Sequence, residues 1–242
     1  MEPHPAGFTS VVTATPPPVH AVRWFSRWVA RSMGPDSTVL NIGAGRNLSG
    51  ELRAVRRKAG RIVGVDPDAS IWDNAGLDEA HQLTMERFAP SHPGEYDVAM
   101  SVFVLEHVAD PEGFVDACAH VLPHQGRLFG LTVHKYHYFG MSTWATTRLH
   151  VADRLLVRLK GRDVVDRYHF PTEYRMNTTT QISRLLARSG FESVEFRMFD
   201  KPDLYAWYLP DRLKPAAPAW TKLVYGLNAP HLMGTLSFCA IR

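Results

Sequence analysis

Cysteine is scarce in this 242-residue chain. The two residues, Cys118 in a predicted helix and Cys239 in a predicted strand, have no metal-ligand spacing and read as small buried hydrophobes. Long apolar runs are missing as well. No stretch approaches the roughly eighteen consecutive apolar residues of a membrane span, and no basic segment followed by an apolar one opens the chain. Neither membrane insertion nor secretion is signalled, so the cytoplasm is the expected location. Charge of one sign is also lacking: 27 Lys and Arg face 24 Asp and Glu, for a net charge of +3, with no run of five or more like charges. A nucleic-acid partner is not implied. The densest basic cluster, Arg53, Arg56, Arg57, Lys58 and Arg61, falls at the end of a predicted helix, where cations favour the helix dipole. It reads as a solvated helix end.

What is present is ordinary for a globular protein, with 45% hydrophobic and 21% charged residues. The length suits one substantial domain with a buried core and is short for two. Residues 1–18 carry prolines at 3, 5 and 16–18 among small and polar residues, and read as a mobile tail. Residues 19–242 then form a single domain. Over 19–33 the apolar residues Val22, Trp24, Phe25, Trp28 and Val29 recur at helical spacing, with Arg23, Arg27 and Arg31 between them.

Strands at 38–42, 61–65, 80–84, 96–102 and 127–133 alternate with helices at 48–58, 69–75 and 112–122. Such alternation argues for an α/β fold on a mostly parallel sheet. Right-handed crossovers make it doubly wound, with helices on both faces and a ligand crevice at the carboxyl ends of the strands. The alternation stops over 134–177, which holds Tyr136, Tyr138, Phe139, Trp144, Tyr168, Phe170 and Tyr174 and reads as an aromatic-rich insertion over the crevice. A helix over 178–189, begun by Thr178 and followed by Gly190, leads to a strand over 192–199. A second break at 200–232, rich in proline and aromatics, precedes a last strand at 234–241.

The most informative stretch is Val39-Leu40-Asn41-Ile42-Gly43-Ala44-Gly45-Arg46-Asn47, an apolar strand running into a glycine-rich turn. Glycine tolerates positive φ and has no Cβ, so this backbone can turn sharply and approach a ligand. The free amides of the following helix favour a carboxylate or a phosphate. About twenty residues on, as in ribose-binding folds, Arg61-Ile62-Val63-Gly64-Val65-Asp66 places an acid at the tip of the second strand. A carboxylate there can accept both hydroxyls of a ribose. A dinucleotide fingerprint requires a third glycine, and Leu48 stands in its place; a P-loop is excluded because no Gly-Lys-Ser or Gly-Lys-Thr follows.

With the strand, the Gly43-Ala44-Gly45 turn and Asp66 assembled, the chain resembles the class I S-adenosylmethionine-dependent methyltransferases. The stretch Tyr96-Asp97-Val98-Ala99-Met100-Ser101-Val102-Phe103-Val104-Leu105-Glu106-His107 is similar to the fourth-strand motif of the small-molecule members. The resemblance implies a seven-stranded Rossmann-like sheet with an antiparallel last strand, and S-adenosyl-L-methionine as cofactor. It assigns Asn41, Gly43, Ala44 and Gly45 to the methionine moiety, Asp66 and Pro67 to the ribose, Met85 and Glu86 to the adenine, and Ser101 and Phe103 to the border of the methyl group. In place of the acid usual at the end of the first strand the chain has Asn41, which accepts a hydrogen bond but offers no charge. Asn47 replaces a small residue.

Methyl transfer asks mainly for in-line alignment, and a base is needed only where the acceptor is protonated. Histidine suits that role. His134, directly after the fifth strand, is the first candidate and His107 the second. A metal-dependent subclass of the superfamily uses Glu-x-x-Glu-His at the fourth-strand turn; Phe103 occupies the first of those positions, so no metal is expected. The segment from Arg167 to Asn177 resembles one in methyltransferases encoded with bacterial glycan and natural-product pathways. Tyr136, His137, Tyr138, His169, Tyr174 and Arg175 are the expected acceptor contacts, for a sugar-like, nucleoside or other secondary-metabolite substrate. A cofactor-binding protein without catalysis and an NAD(P)-dependent oxidoreductase on the same sheet are the alternative readings.

Overall fold

The computed structural model describes residues 7–46, 50–141, 172–206, 209 and 211–242. Asn47, Leu48, Trp144, Arg167, Tyr168, His169 and Phe170 lie outside the described residues.

Eight strands form one sheet: β1 (Thr9–Ala14), β2 (Ser37–Ile42), β3 (Ala59–Val65), β4 (Glu79–His81), β5 (Val98–Val102), β6 (Arg127–Val133), β7 (Ser193–Phe199) and β8 (Thr235–Ile241). The helices are α1 (Ala21–Ser32), α2 (Arg53–Arg56), α3 (Met85–Phe88), α4 (Pro111–Val121), α5 (Thr179–Arg188), α6 (Pro202–Tyr205) and α7 (Ala216–Gly226). In space the strands run β1-β7-β8-β6-β5-β2-β3-β4. All pairings are parallel except those of β8, which lies antiparallel between β6 and β7. This is the doubly wound, mostly parallel α/β sheet with an antiparallel last strand. The strand order reverses between β2 and β5, so the crevice opens beyond their carboxyl ends.

The sheet has eight strands rather than the expected seven. The extra one, β1, comes from the segment read as a tail, and pairs with the edge of β7 from Thr9 opposite Ser193 to Ala14 opposite Met198. Its Thr-Ser-Val-Val-Thr run is suited to a strand, but five of its six residues are exposed, so no buried stripe announces it. The prolines at 16–18 end the pairing, since proline has no amide to donate.

Period-two alternation divides the core. Leu40 and Ile42 of β2 face the helices α4 and α5 together with Phe114, Cys118, Ile182 and Leu186. Val39 faces α1, where Phe25, Trp28 and Val29 pack on Phe129 and Leu131, while Arg23, Arg27 and Arg31 stay outside. Asp110 caps α4 by accepting the Gly113 amide at 3.2 Å, with Pro111 at the first helical position. Thr178 caps α5 through the Gln181 amide at 3.2 Å. The helix expected over 48–58 is shorter, reduced among the described residues to the single turn α2. The one expected over 69–75 is a 3-10 turn, Ala69–Asp73. The second break, 200–232, contains α6, α7 and two short 3-10 turns.

Candidate functional site

The turn after β2 has the backbone that glycine permits. Gly43 sits at φ +67° and Gly45 at +49°, and a Cβ on Gly43 would lie 2.2 Å from Cγ2 of Val104. The Gly43 amide donates to the Val65 carbonyl at 2.7 Å, fastening the turn to the tip of β3. There the half-buried Asp66 accepts the Gly45 amide through Oδ2 at 2.9 Å and the Asp68 amide through Oδ1 at 2.8 Å. Among the described residues it forms no ion pair. Each oxygen therefore keeps a lone pair for a hydroxyl.

Asn74, at the end of the 3-10 turn, holds the same loop from behind. Its Nδ2 donates to the carbonyls of Ala44 at 3.0 Å and Gly45 at 3.1 Å, while its Oδ1 accepts the Gly76 amide at 3.0 Å. Sequence reasoning missed this residue, because a lone asparagine in a short turn carries no periodic signal. Buried Asn41 lines a small cavity with Asn74, Arg56 and Leu77, on the face of the sheet that α2 covers.

Next to the loop across the reversal point, Ser101 is buried in β5 opposite Ile42. Phe103 follows at φ +55°, a conformation uncommon outside glycine, and its amide donates to Leu131 at 2.7 Å. The chain then enters the short 3-10 turn Leu105–His107. Pro67 is exposed beside Asp66, Met85 is buried at the start of α3, and Glu86 beside it is exposed. The arrangement brings the glycine turn, Asp66, Ser101 and Phe103 to one end of the sheet.

A second group of polar residues lies around the ends of β5 and β6. Glu106 is buried, and its Oε2 accepts the Thr132 hydroxyl at 2.7 Å. Thr132 in turn accepts Nδ2 of buried Asn177 at 2.7 Å. Burial pushes the Glu106 carboxyl above the usual carboxylate range, against the Thr132 hydrogen bond. The Glu106 carbonyl accepts the amides of Glu173 at 2.7 Å and Tyr174 at 3.2 Å, so the returning chain is tied to the tip of β5. His107, beside it, is half-buried.

His134, the first candidate base, is only 2% exposed. Burial, with His137 nearby, pushes its pKa down to about 4, so its ring is neutral at pH 7. His137 is fully buried with Nε2 3.1 Å from Oδ1 of buried Asp200. The Phe139 amide donates to His137 Nδ1 at 3.3 Å. Asp200 also accepts the Gly234 amide at 2.9 Å and the Thr221 hydroxyl. Both histidines are thus enclosed in the wall beyond β6. Of the other expected contacts, Tyr136 is exposed, Tyr138 half-buried and Tyr174 buried at φ +51°. Arg175 is exposed, paired with Glu173 at 3.1 Å and donating to the Ala109 carbonyl at 3.0 Å.

Residues 21–195 match the methyltransferase domain family. The chain is 34% identical over 105 residues to the ubiquinone biosynthesis O-methyltransferase of Sodalis glossinidius (strain morsitans), a match covering 40% of this chain and 41% of that one. The chain thus spans less than half the length of that curated relative. In fold it is similar to an S-adenosylmethionine-dependent methyltransferase from Archaeoglobus fulgidus, with a TM-score of 0.59 and 16% identity over 92% of this chain and 93% of that one. It is also similar to phosphoethanolamine N-methyltransferase 2 of Haemonchus contortus, solved in complex with S-adenosyl-L-methionine (TM-score 0.54, 13% identity, 90% of this chain and 52% of that one). By its domain match over most of its length, its sheet order and its glycine turn with Asp66, the chain belongs to the class I S-adenosylmethionine-dependent methyltransferases.

Proposed function

We propose that this protein moves the methyl group of S-adenosyl-L-methionine to an oxygen of a small-molecule acceptor, sugar-like, nucleoside or another secondary metabolite. The observation that carries the reading is the Asp66 carboxylate, joined to the Gly45 amide at the mouth of the crevice. When bound, the cofactor supplies a methyl group already activated by its positively charged sulfur. Gly43, Ala44, Gly45 and Asn41 serve the methionine moiety, Asp66 and Pro67 the ribose, Met85 and Glu86 the adenine. Ser101 and Phe103 border the reacting methyl. The similarity to a ubiquinone biosynthesis O-methyltransferase supports oxygen as the acceptor atom.

Acceptor binding falls to Tyr136, His137, Tyr138, His169, Tyr174 and Arg175. Of the two candidate bases, His107 is the better placed. His134 is enclosed, and a pKa of about 4 makes it a weak acceptor of protons near neutrality. No helix among the described residues is long and apolar enough to cross a membrane. The reading places the protein in the cytoplasm, with no nucleic-acid partner and no metal.

The test is release of S-adenosylhomocysteine from S-adenosylmethionine in the presence of a panel of sugars, nucleosides and phenols. His107→Ala is expected to lower turnover about 10² to 10⁴-fold, the range for a lost general base, with S-adenosylhomocysteine affinity unchanged. Equal turnover by the variant removes His107 from the role. Product release with none of the acceptors favours a binding protein without catalysis.

A further inference from the structure

Helix α7 is apolar on two faces. Its inner face is accounted for: Ala217 and Val224 are buried, and Trp220 meets the Tyr138 ring edge-on at 5.9 Å and lies 6.1 Å from the His137 ring. The outer face is not. Ala219 and Leu223 lie four residues apart on it, Leu227 follows at the C-cap, and Leu213 lies in the turn ahead of the helix. Leu213 is 54% exposed, Leu223 51% and Leu227 63%. A helix lying on a core needs one apolar stripe, facing inward. An outward stripe beside charged residues marks a surface that meets something.

The charge around the stripe narrows the partner. Residues 212–242 contain no Asp or Glu, while they carry Arg212, Lys214, Lys222 and Arg242. Asp211, just ahead, is taken by Lys214 at 2.6 Å, and Asp203 by Lys201 at 3.0 Å. Arg212 and Lys222 are exposed, and among the described residues neither makes an ion pair. The surface therefore offers leucines and uncompensated positive charge. Its complement is both apolar and anionic. A second copy of this chain fits poorly, because symmetric pairing through the stripe would set Arg212 and Lys222 near their own equivalents.

We propose that the outer face of α7, with Leu213, docks on the surface of a bilayer containing anionic lipid. The leucines enter the boundary between headgroups and acyl chains, while Arg212 and Lys222 lie among the headgroups. The inner face of the same helix packs on His137 and Tyr138, so docking brings the acceptor-side wall to the lipid. The inference does not depend on which acceptor is methylated.

The experiment is flotation of the purified full chain with vesicles of phosphatidylcholine alone, or with about 30% phosphatidylglycerol, a fraction that gives a clearly negative surface. Binding to the anionic vesicles alone is expected at low salt, weakening as sodium chloride is added. Leu223→Asp with Leu227→Asp is expected to reduce the bound fraction by about tenfold or more, since a charge replaces each leucine that would enter the lipid. Lys222→Glu is expected to reduce it less, and that loss should disappear at high salt. Thermal melting and S-adenosylhomocysteine titration of each variant keep a folding failure apart from a docking failure. Absence of flotation with anionic vesicles at low salt overturns the proposal. So does undiminished flotation of the folded double variant, or a lipid-free dimer that the double variant abolishes.

Discussion

Oδ2 of Asp66 accepts the Gly45 amide at 2.9 Å, so the carboxylate at the tip of β3 holds the glycine turn at the tip of β2. The two strands are neighbours, and Gly43 and Ala44 both donate to the Val65 carbonyl, at 2.7 and 3.4 Å. Asn74 secures the other side of the turn. The glycine turn is thus shaped by the protein's own hydrogen bonds, and a ligand that binds there meets a lower ordering cost.

Gly43→Ala should damage both stability and binding. The residue sits at φ +67°, and the added methyl would lie 2.2 Å from Val104. Alanine at a positive φ with a clash is expected to destabilise by about 1–3 kcal/mol. Urea unfolding measures this, and S-adenosylhomocysteine titration should show weakened binding in the fraction that remains folded. A variant as stable as the parent would mean that Val104 moves aside without cost.

Asn74→Ala strips a donor from two carbonyls of the loop. The expected loss of stability is about 1–3 kcal/mol, the range for leaving buried groups unsatisfied. Cofactor affinity should fall as well, although Asn74 lies behind the loop. Asn74→Asp should be at least as harmful, because it places a carboxylate against the carbonyls of Ala44 and Gly45. Unaltered affinity in a folded Asn74→Ala variant would show that Asp66 alone shapes the turn.

Two buried groups give opposite pH dependences. His134 titrates near 4 in the folded chain against 6.5 in its unperturbed state, so the unfolded chain binds the extra proton between those values. Its neutral burial therefore contributes stability that is present above pH 6.5 and lost as pH falls toward 4, roughly 3 kcal/mol at most. In His134→Gln the gap from the parent should narrow over that window. Glu106 is raised, so the folded chain holds its proton more tightly, and stability is lost as pH rises above the ordinary carboxylate range. Glu106→Gln should gain on the parent as pH rises from 4.5 to 8. Urea titrations at four pH values check both signs, and parallel curves for parent and variant would remove the residue concerned.

Gly234→Ala probes the wall around His137 and Asp200. A Cβ there would lie 2.5 Å from Tyr205, 3.0 Å from Asp200 Oδ1 and 3.1 Å from the His137 ring. The strand β8 starts at this crossing, so a methyl group must push apart the His137–Asp200 contact or the Tyr205 hydroxyl, which donates to the Gly234 carbonyl at 2.8 Å. Overpacking of this kind is expected to destabilise by about 1–3 kcal/mol. S-adenosylhomocysteine affinity should be retained, because the cofactor loop lies at a different strand tip. Loss of affinity in a folded variant would join the two walls into one unit.

The glycine turn and its acid were legible in the sequence because they are local. One strand, one glycine turn and one acid at the next strand tip fall within thirty residues, and the structure brings Gly43, Gly45 and Asp66 together as their spacing requires. The buried strands β2, β3, β5, β6, β7 and β8 lie within a residue or two of their expected places, since buried β-strands in α/β sheets are nearly continuous apolar runs, whereas half-buried β4 ends at His81 instead of reaching 84. β1 was not legible, because its residues face solvent and only its edge pairing with β7 orders it. Asn74 and Asp200 were missed for another reason. Each holds backbone or side chains far away in sequence, and a single polar residue has no pattern to reveal that. His134, the first candidate base from its place after β6, is enclosed by burial around that strand tip, which its position in the sequence does not reveal.

The most direct test of the central claim is calorimetric titration of the parent and Asp66→Ala with S-adenosylhomocysteine, run beside NAD. The account predicts micromolar binding of S-adenosylhomocysteine alone by the parent, weakened in the variant by about 1.5 to 3 kcal/mol, the scale of charge-assisted hydrogen bonds lost from a site. A folded parent that binds NAD and not S-adenosylhomocysteine would contradict the cofactor assignment, and an Asp66→Ala variant that binds as tightly as the parent would contradict the role of Asp66 at the site.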